Sequence, residues 1–90
     1  MKLKIYSVRD VKTEAFMNPW YARTLGEAIR SFEQGVNSPE STFHKYPDDF
    51  CMFEIGEWDD ATAEIVTHEQ PVKIGLASEY KRVEDNLKAV

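Results

Sequence analysis

The sequence holds a single cysteine, Cys51, and no apolar run near the roughly 18 residues that a membrane span needs. One cysteine leaves no intramolecular disulfide, so packing must hold the domain together. The start, MKLKIYSVR, has a charge every few residues and no apolar stretch, which does not fit a signal peptide. These features point to a soluble, intracellular protein. The glycines stand apart at 26, 35, 56 and 75, so no Gly-rich phosphate loop occurs. There is no G-x-S-x-G, no H-E-x-x-H and no CxxC pair. No catalytic residue, metal ligand or cofactor site is expected, and the chain is not expected to be an enzyme.

Ninety residues, 42% hydrophobic and 30% charged, fit one globular domain with a modest core. The charge is uneven. Residues 1–30 carry six bases against three acids, net +3. Residues 31–70 carry Lys45 alone against ten acids, net −9, and residues 71–90 carry four bases against three acids, net +1. Such asymmetry suits a basic face for an anionic partner. It equally suits two halves that attract each other, within the fold or across a dimer.

Residues 2–9, KLKIYSVR, alternate with period two, placing Leu3, Ile5 and Ser7 on one strand face and Lys2, Lys4 and Tyr6 on the other. A turn at Asp10–Lys12 and a return strand over 13–17 follow, ended by Asn18-Pro19. In TLGEAIRSFEQGVN, Thr24 and Glu27 form a capping box, and Leu25, Ala28, Ile29, Phe32 and Val36 make one helical stripe. Ser38-Pro39 suggests the start of a short second helix anchored by Phe43. Residues 50–57 read as a strand with Cys51, Phe53 and Ile55 toward the core, and 63–67 as its return. Pro71 restarts the chain, and Val72, Ile74 and Leu76 fit a last strand, or Leu76, Tyr80, Val83 and Leu87 a helix. The expected fold is α+β: a single domain with an antiparallel sheet of two hairpins and one main amphipathic helix (about 24–36). The order is ββα(α)ββ plus a C-terminal strand or helix. Residues 1–76 form the domain, and 77–90 a C-terminal extension, helical or partly disordered.

Two clusters invite a functional reading. FCMFEIGEWDD sets Cys51 among acids, with Asp48, Asp49, Glu64 and His44 nearby. Asp59 to Glu64 superficially resembles a calcium loop but lacks its central glycine and spacing. A solvated hairpin end accounts for the same acids, since aspartate favours turns. The basic N-terminal segment is the better candidate. Lys2, Lys4, Arg9, Lys12 and Arg23 would neutralise phosphates, and Tyr6, Trp20 and Tyr21 would stack bases, the combination that single-stranded nucleic acid needs. Arg30 could meet a phosphate or pair with Glu27 or Glu33 on its own helix.

The succession MKLKIYSVRD, TLGEAIRSFEQGVN, SPESTFHKYPDDFCMFEIGEWDD resembles the small nonstructural protein of gokushovirus-type microviruses, bacteriophages with single-stranded DNA genomes. The most specific parts are Ala28-x-Arg30-x-Phe32 with Val36-Asn37, Pro47-x-Asp49-Phe50 and Phe53-x-Ile55-Gly56-Glu57. Pro19-Trp20-Tyr21 matches two aromatics after a proline, while Ala63 stands where the family often has glycine. The resemblance implies a nonstructural, DNA-binding protein of the host bacterial cytoplasm. Its implied role is genome replication, or the switch to single-strand synthesis and packaging. It transfers no catalytic residue. The expected partners are single-stranded DNA and replication or packaging proteins, with no membrane, and the expected state is a homodimer. The alternative is an adaptor whose acidic segment, about 48–64, docks a basic host or phage replication protein.

Overall fold

The computed structural model describes residues 1–82. The chain builds one five-stranded antiparallel sheet with its helices on one face. β1 (Lys2–Asp10) is central. β4 (Phe50–Asp59) pairs along its whole length on one side. Two short strands share its other side: β2 (Ala15–Phe16) beside Arg9 and Asp10, and β3 (Trp20–Ala22) beside Lys4 to Tyr6. β5 (Glu64–Leu76) pairs with β4 and forms the open edge.

The expected α+β fold with one main helix is present, with three differences in detail. Asn18-Pro19 ends the first return strand after two residues, and the chain then re-pairs with β1 as β3. Pro71 does not restart a separate element, because it lies on the open edge of β5, where a missing N–H costs no ladder bond. The short helix α2 (Thr42–Lys45) is capped by Ser41, whose hydroxyl accepts from the Phe43 N–H, and not by Ser38.

The main helix, α1 (Leu25–Val36), starts as its sequence dictates. The Thr24 hydroxyl accepts from the Glu27 N–H at 3.1 Å, and the Glu27 carboxylate accepts from the Arg23 N–H at 3.0 Å. Ala28, Phe32 and Val36 are buried, but Leu25, at the first turn, is 40% exposed. At the other end Asn37 joins α1 to the chain terminus. Its amide donates to the Glu33 and Tyr80 carbonyls, and its oxygen accepts from the Arg82 N–H at 2.7 Å. Ala77 and Tyr80 of α3 (Ala77–Tyr80) thereby pack into the core, Tyr80 5.8 Å from Phe32. The rest of the proposed extension, residues 83–90 with Val83 and Leu87, lies outside the described residues.

Residues paired across an antiparallel ladder share a face, so the register sorts the sheet's side chains. Tyr6, Val8, Phe50, Met52, Trp20 and Ala22 share the face under α1. With Phe32 and Val36 they make the core. This reverses the expected facing of both long strands. Tyr6, expected outside, is fully buried, and Phe50 and Met52 take the core positions expected of Cys51, Phe53 and Ile55. Both strands carry apolar residues on both faces, so alternation alone could not tell which face the helix would cover. Lys2 and Lys4 share Tyr6's face but lie beyond the helix.

Candidate nucleic-acid interface

The opposite face of the sheet has no helix over it among the described residues. By register it carries Leu3, Ile5, Ser7 and Arg9 of β1, with Cys51, Phe53, Gly56 and Trp58 of β4. Phe16, Tyr21, Ile65, Thr67, Lys73 and Leu76 complete it from the flanking strands. Two pairs of rings reach toward each other across β1. Tyr21 and Trp58 are 5.9 Å apart beside Ile5, and Phe16 and Phe53 are 5.4 Å apart beside Ser7, both edge to face. Ile5 and Ser7 are therefore 4% and 1% exposed with no helix above them. Phe16 and Tyr21 remain 43% and 46% exposed. Ser7 is satisfied, donating its hydroxyl to the Met17 carbonyl at 2.7 Å.

Charge is sorted by the same register. Glu54, Glu57, Asp59 and Glu64 all share the helix-side face, and no acid occurs among the paired residues of the aromatic face. Arg9 and Lys73 are its cations, and neither forms an ion pair among the described residues. Across the sheet, the Glu54 carboxylate is hydrogen-bonded to His68 Nε2 at 2.7 Å. Lys4 lies 3.9 Å from Glu54 and 3.8 Å from Glu57, long contacts of little strength.

The eight expected DNA contacts therefore divide. Tyr21 and Arg9 lie on the aromatic face. Lys12 and Arg23 are exposed just beyond its strands, in the turn after β1 and at the end of β3. Lys2 and Lys4 lie on the other face, opposite Asp59 and Glu57. Tyr6 cannot stack a base, because it is fully buried beneath α1. Burial first, and then the Glu54 carboxylate close by, pushes its phenol up to about 12, although that carboxylate lies outside hydrogen-bonding geometry and leaves the buried hydroxyl unpartnered. Trp20 packs on Tyr6 at 5.9 Å, with its indole N–H also buried and unpartnered. Phe16, Phe53, Trp58 and Lys73 were missed. The period-two signal in WYAR and EWD places Tyr21 and Trp58, but only strand pairing brings these rings together.

Two acids of FCMFEIGEWDD hold the tip of the β4–β5 hairpin and the adjoining N-terminus. The Asp59 carboxylate accepts from the Ala61 N–H, and Asp60 holds the N-terminal amine at 2.8 Å, raising that amine's pKa through the shared hydrogen bond. Among the described residues no three His, Cys, Asp or Glu side chains converge as metal ligands. Asp48 and Asp49 sit at the opposite end of β4, about 33 Å away for ten strand residues. Asp48 and Asp49 thus stand apart from Glu54, Glu57, Asp59 and Glu64, which share one face. Cys51 is 6% exposed, and burial pushes its thiol up, which suppresses the reactive thiolate. His44 and His68 are engaged with the Val36 carbonyl and Glu54. A cleft of about 310 Å³ between sheet and α1, lined by Val8, Met17, Trp20, Phe32 and Phe43 among others, is walled by apolar groups. No helix of the described residues is long and apolar enough to cross a membrane.

Residues 3–80 match the family model described as Phage ORF5 protein. No curated protein and no solved structure matches the chain.

Proposed function

We propose that this chain, which belongs to the phage ORF5 protein family, binds single-stranded DNA stoichiometrically through the aromatic face of its sheet. The observation that carries this reading is the juxtaposition on one uncovered face of two ring pairs, Arg9 and Lys73, with no acid among the paired residues. Exposed rings offer stacking surfaces to unpaired bases, and the two cations offer partners to phosphates. A duplex hides its base faces, so only a single strand can use the rings. The net charge of −5 is compatible, because the sheet's paired acids, Glu54, Glu57, Asp59 and Glu64, fall on the other face and Asp60 lies at the hairpin tip. The biological setting is genome replication of a phage, or its switch to single-strand synthesis and packaging, which the sequence resemblance supports. Nothing in the mechanism requires turnover.

Fluorescence anisotropy of a labelled oligonucleotide over a salt series tests the proposal. If Arg9 and Lys73 neutralise two phosphates, log K falls against log salt with a slope of about −1.4, at about −0.7 per phosphate for single strands. Absence of binding at low salt would sink the proposal.

A further inference from the structure

Resting on that reading, we infer that the aromatic face is a two-part site, with one end that pairs stacking with phosphate contact and a distant end chiefly for base stacking. Along β1, Tyr21 pairs with Ile5 and Phe16 with Arg9. Four residues of strand separate the two platforms by about 13 Å. Among the paired residues the cations are confined to one of them, while Arg23 stands just past β3 near the other. Arg9 lies beside Phe16 and Cys51, and Lys73 lies opposite Phe53. Around Tyr21 and Trp58 the same face offers Leu3, Ile5, Gly56 and Ile65, all without charge. The Phe16–Phe53 platform therefore holds a nucleotide by both charge and stacking. The Tyr21–Trp58 platform has no cation among its paired neighbours and works chiefly by stacking.

Two properties follow for the ligand. About 13 Å equals roughly four steps of stacked bases at 3.4 Å per nucleotide, so about five stacked nucleotides reach from one platform to the other. A shorter strand engages one platform. Base identity has few readers, because Ser7 is occupied by the Met17 carbonyl, leaving the Thr67 hydroxyl, the Tyr21 phenol and the Trp58 indole N–H as the uncharged polar side-chain groups among the paired residues of this face. The ligand is a single strand of at least about five nucleotides, with little preference for composition.

The test titrates oligothymidylates of two to eight nucleotides, and oligodeoxyadenylates of the same lengths, against the wild-type chain and Tyr21→Leu and Arg9→Gln variants. Leucine keeps apolar cover over Ile5 while removing the ring, and far-UV circular dichroism checks that each variant is folded. Affinity is expected to climb between two and about five nucleotides for both bases, then to level. Tyr21→Leu should weaken the eight-nucleotide strand by roughly 5- to 150-fold, the value of one stacked base, and leave the two-nucleotide affinity and the salt slope unchanged. Arg9→Gln should weaken every length and reduce the slope by about 0.7. Binding with no dependence on length, or equal losses at all lengths for Tyr21→Leu, overturns the two-part site while leaving DNA binding intact. No binding at any length takes down both. A change in oligomeric state of Tyr21→Leu without DNA, seen by analytical ultracentrifugation, makes the face a protein interface and overturns the inference.

Discussion

Adding one methyl group at Gly56 and at Gly26 should move stability in opposite directions. Gly56 lies in β4 where β5 bulges: Gly56 pairs with Thr67, Glu54 pairs with Val72, and residues 68–71 have only Ile55 opposite them. A Cβ at Gly56 would collide with the Val66 carbonyl oxygen and sit 2.9 Å from the Thr67 Cα. Both obstacles are backbone of a paired strand and cannot rotate away. Such overpacking costs about 1–3 kcal/mol. At about 4–8 °C per kcal/mol for a domain of this size, Gly56→Ala should lower Tm by at least several degrees. At Gly26, in the first turn of α1, the nearest atom to an added Cβ is the Thr24 hydroxyl oxygen at 3.9 Å. There alanine removes backbone freedom from the unfolded chain and should stabilise by about 0.5–1 kcal/mol. Urea unfolding followed by circular dichroism, with tryptophan fluorescence as a second probe, measures both. A Gly56→Ala protein within 0.5 kcal/mol of wild type would refute the close approach of β5 and the β4–β5 register that sets Gly56 opposite Thr67.

Ala63 holds φ = 67° at the β4–β5 turn, a left-handed conformation that costs an L-residue about 1–2 kcal/mol. Ala63→Gly should therefore raise stability by up to about 1 kcal/mol, read from the urea midpoint, despite glycine's greater unfolded freedom. Tyr6→Phe should be neutral or stabilising at pH 7, since it removes a buried hydroxyl with no partner. Tyr6 also imposes an alkaline limit. Its folded pKa of about 12 lies above the ordinary 10, so the folded chain keeps a proton that the unfolded chain releases. That stability is whole below pH 10 and is lost as pH rises toward 12. Tyr6→Phe should flatten this part of a stability–pH profile, and an unchanged slope would show that Tyr6 ionises freely.

Local features were legible in the sequence wherever a short stretch determines its own structure. The Thr24–Glu27 cap, the Ala28–Phe32–Val36 stripe and the β4–β5 hairpin all follow from neighbours along the chain. The facing of the strands did not. Tyr6 and Ser7 are adjacent and both buried, one by α1 and the other beside a ring pair from β2 and β4. A period-two pattern has no term for a strand covered on both sides. The candidate site suffered most, because cations close in sequence landed on opposite faces: Lys4 with Glu54 and Glu57, Arg9 with Phe16 and Cys51.

By itself the sequence determined the α+β class, the position of the main helix and the segregation of acid into the middle of the chain. These depend on propensity, capping and composition, which act over a few residues. Tertiary structure alone decided that Tyr21, Trp58, Phe16, Phe53, Arg9 and Lys73 share one uncovered face. Their positions span 9 to 73, and β-pairing joins such distant residues only once register is fixed. A one-residue slip would exchange the two faces, bringing acids to the rings and rings to the helix.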